Sequence, residues 1–213
     1  MRTSSISRHR GSIVVSVLAA VALGLLVPKI REEHRRLVAN EQLARFSDYA
    51  ATARREALAH LVVFTRTRSA VDFSGFERAM ERTLVQRTVR EAMESEAVDG
   101  QRVAELLVGV GYPPGAVADF VEALPWIRDL GEYESAVGLW TLADTKIDRI
   151  LREAFDLRSQ ILQPSPSERA SLSELRAADQ ELAALIGIIQ GRLDAGGTRI
   201  QGRLFVLGVV AAL

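Results

Sequence analysis

Two apolar segments bracket this chain, and their lengths limit what it can fold into. The first runs from Ile13 to Val27 without a charged residue, and the second runs from Leu204 to Leu213. A helix needs about 20 residues to cross about 30 Å of hydrocarbon. The first segment reaches that length with its flanks, whereas the second is about half a span. We therefore expect a transmembrane helix over 11–30 and the start of a second, cut within that helix, over 203–213.

These segments define the other boundaries of the chain. Residues 1–10 form a basic arm, and residues 31–202 form a domain on one side of the membrane. The apolar core is followed by Pro28 and Lys29 instead of a small-x-small cleavage site, which favours an uncleaved anchor over a secretion signal. The positive-inside rule leaves the orientation open, because basic residues after the anchor balance those of the arm.

The composition is typical of long, exposed helices. Aromatic residues make up only 6% of the chain, and Ala, Leu, Arg and Glu dominate it. The absence of Cys excludes a disulfide framework and a Cys-ligated zinc site. Lys plus Arg and Asp plus Glu are equal at 27 each, so no net positive charge points to a nucleic-acid partner.

The first part of the central domain has helical periodicity. A first helix is expected to leave the membrane and end near Thr67, and Asp72 or Ser74 is placed to cap a second helix that fades near Val98. The apolar stripe of the first helix consists of Leu43, Phe46, Ala50, Ala53, Ala57, Leu61 and Phe64. Such a narrow stripe fits the seam of a helix bundle.

Two short helices and two long ones follow. Asp99 is expected to cap the first short helix and Pro125 to kink or end the second, while Ser165 or Ser167 is expected to cap the fourth long helix. The third long helix covers residues 131–162. The seam of the fourth consists of Leu172, Leu175, Leu182, Ile186, Ile189, Leu193 and Ile200, with Asp179 and Gly196 as exceptions. Adjacent glycines at 196 and 197 predict either a hinge or a helix break.

Tight turns after the first and third long helices determine how the four pack. They favour an all-α fold, an elongated up-down-up-down four-helix bundle with two additional short helices, flanked by transmembrane helices. The turns at 68–72 and 163–167 would lie together at the far tip. The short helices of residues 100–130 would lie nearer the membrane.

One stretch of the sequence resembles a segment of bacterial sensor proteins. It runs from Gly111-Tyr-Pro-Pro-Gly-Ala-Val-Ala-Asp119 to Leu139-Trp-Thr-Leu-Ala-Asp-Thr-Lys-Ile-Asp148 and combines a proline-containing turn, a short helix and a W-x-x-x-D helix. Together with the basic arm, the anchor and the long helices, the chain is similar to the N-terminal extracytoplasmic sensor region of bacterial transmembrane receptors. Chemoreceptors, sensor histidine kinases and membrane-bound diguanylate cyclases are receptors of this type.

The resemblance implies a location and a set of partners. It implies the bacterial inner membrane, a cytoplasmic N-terminus, a periplasmic central domain, contact with the lipid bilayer and a homodimer. The output domain, such as a histidine kinase or a diguanylate cyclase, would lie beyond this chain. The sequence itself carries no kinase, cyclase or methyl-accepting signature.

Two groups of residues are candidate ligand sites. Arginines crowd the expected tip, where Arg66, Arg78 and Arg158 are placed to hold a small anionic ligand through their guanidinium groups. A soluble basic tip is the alternative interpretation. Trp140 and Asp144, one turn apart, are placed to line a pocket, but such a Trp is more often part of a core and such an Asp part of a solvated face.

The expected function follows from this architecture. We expect a signal-sensing module that passes an extracytoplasmic state across the membrane by moving its fourth long helix relative to its first. The alternative is a bitopic scaffold or assembly protein whose helices bind a periplasmic partner protein. Enzymatic activity of this chain is not expected, because the sequence has no recognisable nucleophile and base, metal constellation or cofactor motif.

Overall fold

The computed structural model describes residues 5–95, 98–162 and 168–212, with side chains from 20–21, 24–95, 98–161 and 173–212. The helices in these ranges are α1 (Ser5–Thr67), α2 (Ala70–Glu94), α3 (Gly100–Gly109), α4 (Pro114–Ile127), α5 (Gly131–Leu162) and α6 (Glu168–Ala212). No strand occurs within these ranges, so the described part of the chain is all-α, as the sequence predicts.

The four long helices α1, α2, α5 and α6 run up, down, up and down. Later residues of α1 contact earlier residues of α2, which makes the two helices antiparallel. Phe46 contacts Gln86, and Phe64 contacts Phe73. Antiparallel contacts also join α1 to α6 and α5 to α6. The expected order of helices in the bundle is therefore confirmed by the packing.

The interface between α2 and α5 differs from the other helix interfaces of the bundle. The backbones of α2 and α5 approach each other at few points, and arginine side chains cross the space between them. Near the tip, Arg158 pairs with Glu77 at 3.3 Å. In mid-bundle, Arg87 and Arg90 pair with Asp144 at 3.2 and 2.5 Å. The interface between α2 and α5 therefore depends on ion pairs more than on close helix packing.

The helix caps test several limits predicted from the sequence. Asp99 accepts a hydrogen bond from the backbone N–H of Arg102 at 3.0 Å, which confirms it as the cap of α3. The cap of α2 is Ser69, so the prediction of Asp72 or Ser74 is wrong. Asp72 instead accepts a hydrogen bond from the hydroxyl of Thr67 at 2.5 Å, which ties the end of α1 to the start of α2.

Two further limits concern α4 and α6. Pro125 does not end α4, because the helix continues to Ile127. Pro125 lies two residues before this end and removes one backbone donor from the last turn of the helix. The predicted caps Ser165 and Ser167 lie outside the described residues.

The apolar core is divided into two clusters along the bundle. The tip cluster consists of residues such as Ala57, Leu61, Phe64, Phe73, Phe76, Met80, Ile150, Leu157, Leu175 and Leu182. The base cluster consists of residues such as Ala39, Leu43, Phe46, Val89, Met93, Leu107, Phe120, Ile127, Ala136, Ile189 and Leu193. The buried polar residues Arg54 and Thr83 lie between these two sets along their helices, and the buried Arg90 lies beside Val89 at the edge of the base cluster. A polar layer therefore separates two apolar layers.

The short helices α3 and α4 belong to the base of the bundle. Phe120 stacks on Phe46 with ring centroids 5.0 Å apart, and Tyr112 stacks on Tyr49 at 4.0 Å. The side-chain amide of Gln86 donates to the carbonyl of Phe46 at 2.9 Å and also contacts the Tyr112 hydroxyl. These contacts fix α3 and α4 against α1 and α2 at the end opposite the tip.

Gly196 and Gly197 lie inside α6 where other helices pack closely against it. Because α6 is continuous through both residues, the predicted helix break is wrong, and the hinge stays a prediction. A Cβ atom at Gly196 would lie 2.8 Å from Cγ of Glu132, and one at Gly197 would lie 3.1 Å from Nδ2 of Asn40. The glycines thus allow side chains of α5 and α1 to reach the α6 backbone.

The ends of α1 and α6 extend from the base with exposed apolar side chains. Leu25 is 73% exposed on α1, and Phe205 is 74% exposed on α6. Over the part of the chain that the structure describes, no helix is both long enough and apolar enough to span a membrane. Positions 11–19, 22 and 23, which make up much of the expected first anchor, lie outside the residues whose side chains are described.

The base cluster gives a test of the bundle that uses neighbouring residues of α6. Ile189 is completely buried, whereas Ile188 is 49% exposed. We expect Ile189→Ala to lower the free energy of unfolding by about 2–5 kcal/mol, because it removes buried methyl groups and leaves a cavity. Ile188→Ala should change it by less than about 1 kcal/mol. Urea unfolding of the full chain in detergent, followed by circular dichroism, checks both, and equal effects would contradict the packing.

Candidate ligand site in the polar layer

A cavity of about 40 Å³ lies inside the bundle at the level of the polar layer. Residues of all four long helices surround it. Its lining consists of Phe46, Ser47, Ala50 and Arg54 of α1, Thr83, Gln86, Arg87 and Arg90 of α2, Trp140, Ala143, Asp144 and Ile147 of α5, and Leu182 and Ile186 of α6. Any occupant of this cavity would contact the bundle at a point where its four helices meet.

Three arginines on the cavity wall are held by carboxylates. The side chains of Arg54 and Arg90 are each only 8% exposed. Arg54 pairs with Asp179 of α6, and Arg90 pairs with Asp144 of α5. Buried guanidinium groups require such partners because a charge is far less stable inside a protein than in water. The ion pairs thus hold cationic groups in the interior.

Several hydrogen-bond donors on the wall are not used. Within the described part of the protein, Nε of Arg54, Arg87 and Arg90 and the hydroxyl of Thr83 are buried and have no hydrogen-bond partner. Nε of Arg87 and of Arg90 each lie 3.2 Å from a carboxylate oxygen but are not aligned to donate to it. Each unsatisfied buried donor costs about 1–3 kcal/mol. A polar occupant of the cavity that accepted these hydrogen bonds would recover that energy.

Burial also shifts the acidity of these arginines. It lowers the pKa of Arg54, although the negative charge of Asp179 opposes this effect. Burial acts in the same direction on Arg87, but hydrogen bonds and charge attraction from Asp148 and Asp144 outweigh it and raise the pKa of Arg87. The positive charge of Arg54 is therefore less well compensated by its surroundings than that of Arg87.

Apolar side chains form the rest of the wall. Phe46 and Trp140 meet edge to face with ring centroids 6.4 Å apart, and Ile147, Leu182 and Ile186 complete the apolar surface. Ile186 is partly buried and packs against the tip cluster, in line with its predicted place in the α6 seam beside the buried Leu182. Apolar walls lower the local dielectric constant and so strengthen hydrogen bonds and ion pairs at the arginines.

The structure separates the two candidate sites predicted from the sequence. Arg66 and Arg78 are exposed, and neither forms an ion pair with a described residue. Arg158 pairs with Glu77 and lies 4.5 Å from the ring centre of Phe73. No contact among the described residues joins these three arginines. A ligand site at the tip stays a prediction.

Trp140 and Asp144 line the same cavity and are both partly buried. Sequence reasoning placed these two correctly on one helix face but missed Arg54, Thr83 and Arg90, which supply the buried polar groups. One sequence signal for Arg54 was available, because Asp179 interrupts the apolar seam of α6 and is its partner. An acidic residue in an apolar seam predicts a buried cation on a facing helix.

The donor set limits the chemistry of this site. Its polar groups bind and orient, but none of them forms a nucleophile and base pair. Among the described side chains, no group of three or more His, Asp or Glu residues is placed to hold a metal ion. The arrangement is suited to reversible binding of a small polar molecule. The chain matches no protein-family model, no curated protein and no solved structure.

Asp144 gives a test of the ion pairs that bridge α2 and α5. It pairs with both Arg87 and Arg90 and is 16% exposed, whereas Asp148 pairs with Arg87 alone and is 44% exposed. We expect Asp144→Asn to lower the free energy of unfolding by on the order of 2–3 kcal/mol, because two cations each lose the less exposed of their charged partners. Asp148→Asn should cost less than about 1 kcal/mol. Denaturant unfolding of the full chain checks this, and a harmless Asp144→Asn would contradict a structural role for the pairs.

Proposed function

We propose that this chain is the signal-sensing input module of a bacterial membrane receptor. The observation that carries the proposal is the cavity, which touches all four long helices, two of which continue unbroken to the apolar end of the molecule. Binding in the cavity would change the spacing of these helices. α1 and α6 would then pass the change to an output domain beyond this chain.

The contacts between α1 and α6 support movement of one helix relative to the other. Asn40 donates to the carbonyl of Leu193 at 2.9 Å, and the amide of Gln190 donates to Asp48 at the surface. These polar contacts lie beside the apolar residues of the base cluster, and a shift of α6 along α1 would change both of them. Shifts of about 1–2 Å between packed helices are typical of this kind of switching.

The apolar ends of α1 and α6 support attachment to a membrane. Beside them lies a collar of charged residues, in which Lys29 pairs with Glu32 at 3.0 Å and Arg203 lies 3.9 Å from Glu33. Basic side chains next to an apolar segment are suited to the level of the lipid headgroups. We place the apolar ends in the inner membrane and the bundle in the periplasm, as in the receptors that the sequence resembles.

A bitopic scaffold is the second candidate, and one observation favours it. Large apolar side chains are exposed on the outside of the bundle, including Val63 and Val71 near the tip and Leu142 and Phe155 on α5. Exposed apolar residues of this kind are common where proteins meet. A homodimer would also cover them, and receptors of the class that we propose are usually dimers.

Topology gives the most direct test of the proposal. We expect a fusion of alkaline phosphatase, which is active only outside the cytoplasm, to be active after residue 165. The chain should also remain in the membrane pellet after carbonate washing, because apolar segments and not surface charges hold it there. A fusion after residue 165 that is expressed but inactive would place the bundle in the cytoplasm and remove the extracytoplasmic sensor. Release by carbonate would remove the membrane anchor.

A further inference from the structure

We infer that the cavity in the polar layer is a binding site for a small, singly charged oxyanion of the size of formate, nitrate or acetate. This inference rests on the proposed function, because it names the ligand class of the cavity through which the module would sense. It follows from the charge, the free donors and the volume of the site.

The charge of the inner wall favours an anion. Three lining residues are arginines and only Asp144 is acidic, so the lining carries two more positive than negative charges. The other carboxylates that pair with these arginines do not line the cavity. Asp179, Asp148 and Glu94 are 29%, 44% and 41% exposed, so water partly screens their charges. The side chains of Arg54 and Arg90 are each only 8% exposed, so water screens the arginine charges less than those of these three partners.

The unused polar atoms of the wall are donors. Nε–H groups of Arg54, Arg87 and Arg90 can only donate, and the Thr83 hydroxyl can donate as well. Within the described part of the chain, all four are buried and lack an aligned hydrogen-bond partner, although Nε of Arg87 and of Arg90 each lie 3.2 Å from a carboxylate oxygen. The oxygens of a carboxylate or nitrate accept such bonds and carry the opposite charge, which makes them stronger than neutral hydrogen bonds.

A cation does not fit the same wall. Its acidic ligand would be Asp144, but one oxygen of Asp144 lies 3.2 Å from Arg87 and the other 2.5 Å from Arg90. A metal ion would have to displace both guanidinium groups and then lie beside them. The repulsion between these charges excludes cation binding in this arrangement.

The volume sets the size of the ligand. One water molecule needs about 10–15 Å³ of such space, and the cavity offers about 40 Å³. This corresponds to about three water molecules, a space of the size that a ligand of three or four non-hydrogen atoms fills. Formate, nitrate and acetate fit this limit, whereas benzoate is too large. A ligand of four atoms would spread the helices slightly, which is the displacement that a sensor requires.

Ligand binding is tested on the full chain in nanodiscs with sodium formate, nitrate, acetate and benzoate at constant ionic strength. We expect saturable binding of at least one of the three small anions by calorimetry, together with a rise in melting temperature, and no binding of benzoate. No saturable binding of formate, nitrate or acetate would overturn the inference, with the cavity then holding water only. A rise that is equal for all four salts would also overturn it, because it would report a general salt effect.

Two variants locate the site, and each has a different purpose. Thr83→Val keeps the shape of the side chain but removes a free donor, so it should weaken binding by about tenfold or more. Ala143→Val fills part of the cavity and should abolish binding. Thr88→Val is the matched control, because Thr88 is exposed on the same helix. Affinity that is unchanged in both lining variants would place the anion elsewhere and overturn the inference.

The arginine-rich tip is the competing location for an anion. Replacing Arg66 and Arg78 together by Gln should leave the affinity unchanged, because both lie outside the cavity lining. A loss of binding in this double variant, with wild-type affinity in Thr83→Val, would move the site to the tip and overturn the inference.

A separate measurement distinguishes anion binding from sensing. The chain has no native cysteine, so spin labels on Val38→Cys and Ala195→Cys report the distance between exposed positions of α1 and α6 near the base. We expect this distance to change by about 1–2 Å when the anion binds. Binding without any change of distance would support the anion site and overturn the proposed sensing mechanism. Membrane attachment without anion binding would overturn the anion site and leave the proposed membrane receptor standing.

Discussion

The ion pairs of Asp144 with Arg87 and Arg90 are the interaction on which the middle of this bundle depends. They span the space between α2 and α5, where the helix backbones approach each other at few points. Long side chains that bridge two helices link them and also set the distance between their backbones. The cavity is the space that this separation leaves, so the bridge between α2 and α5 and the candidate binding site have one physical origin.

A polar layer between two apolar clusters is costly for stability. Replacing buried ion pairs by apolar residues of similar volume is often neutral or stabilising, by up to about 4 kcal/mol. A bundle selected for stability alone would therefore be expected to fill the middle layer with side chains such as Leu and Ile. The layer does fix the register between α1 and α6, because Arg54 can pair with Asp179 at only one position of α6 relative to α1. The fixed register and the proposed binding of a ligand would both account for a polar layer at this cost.

Much of the fold was predictable because long amphipathic helices carry a strong periodic signal. The stripe from Leu43 to Phe64 and the α6 seam predicted the bundle, and the limits of α5 were predicted correctly. The cap of α2 was not, because Ser69, Asp72 and Ser74 are chemically similar and only the turn geometry selects one. The buried arginines were missed for a different reason. A charged residue on a helix predicts a solvated face unless its partner on another helix is known, and that partner is a tertiary contact.

The glycine pair in α6 makes the stiffness of that helix depend on its neighbours. Two glycines in a helix interior cost about 1 kcal/mol each relative to alanine, so α6 is weakest at 196–197, directly before its apolar end. There Glu132 fits against Gly196 and Asn40 against Gly197. While α1 and α5 are packed in place, α6 is a rigid rod through this point. If they withdraw, the same point becomes a flexible joint that transmits rotation and translation poorly. The glycine pair would therefore let α6 transmit a displacement only while α1 and α5 are packed against it at the base of the bundle.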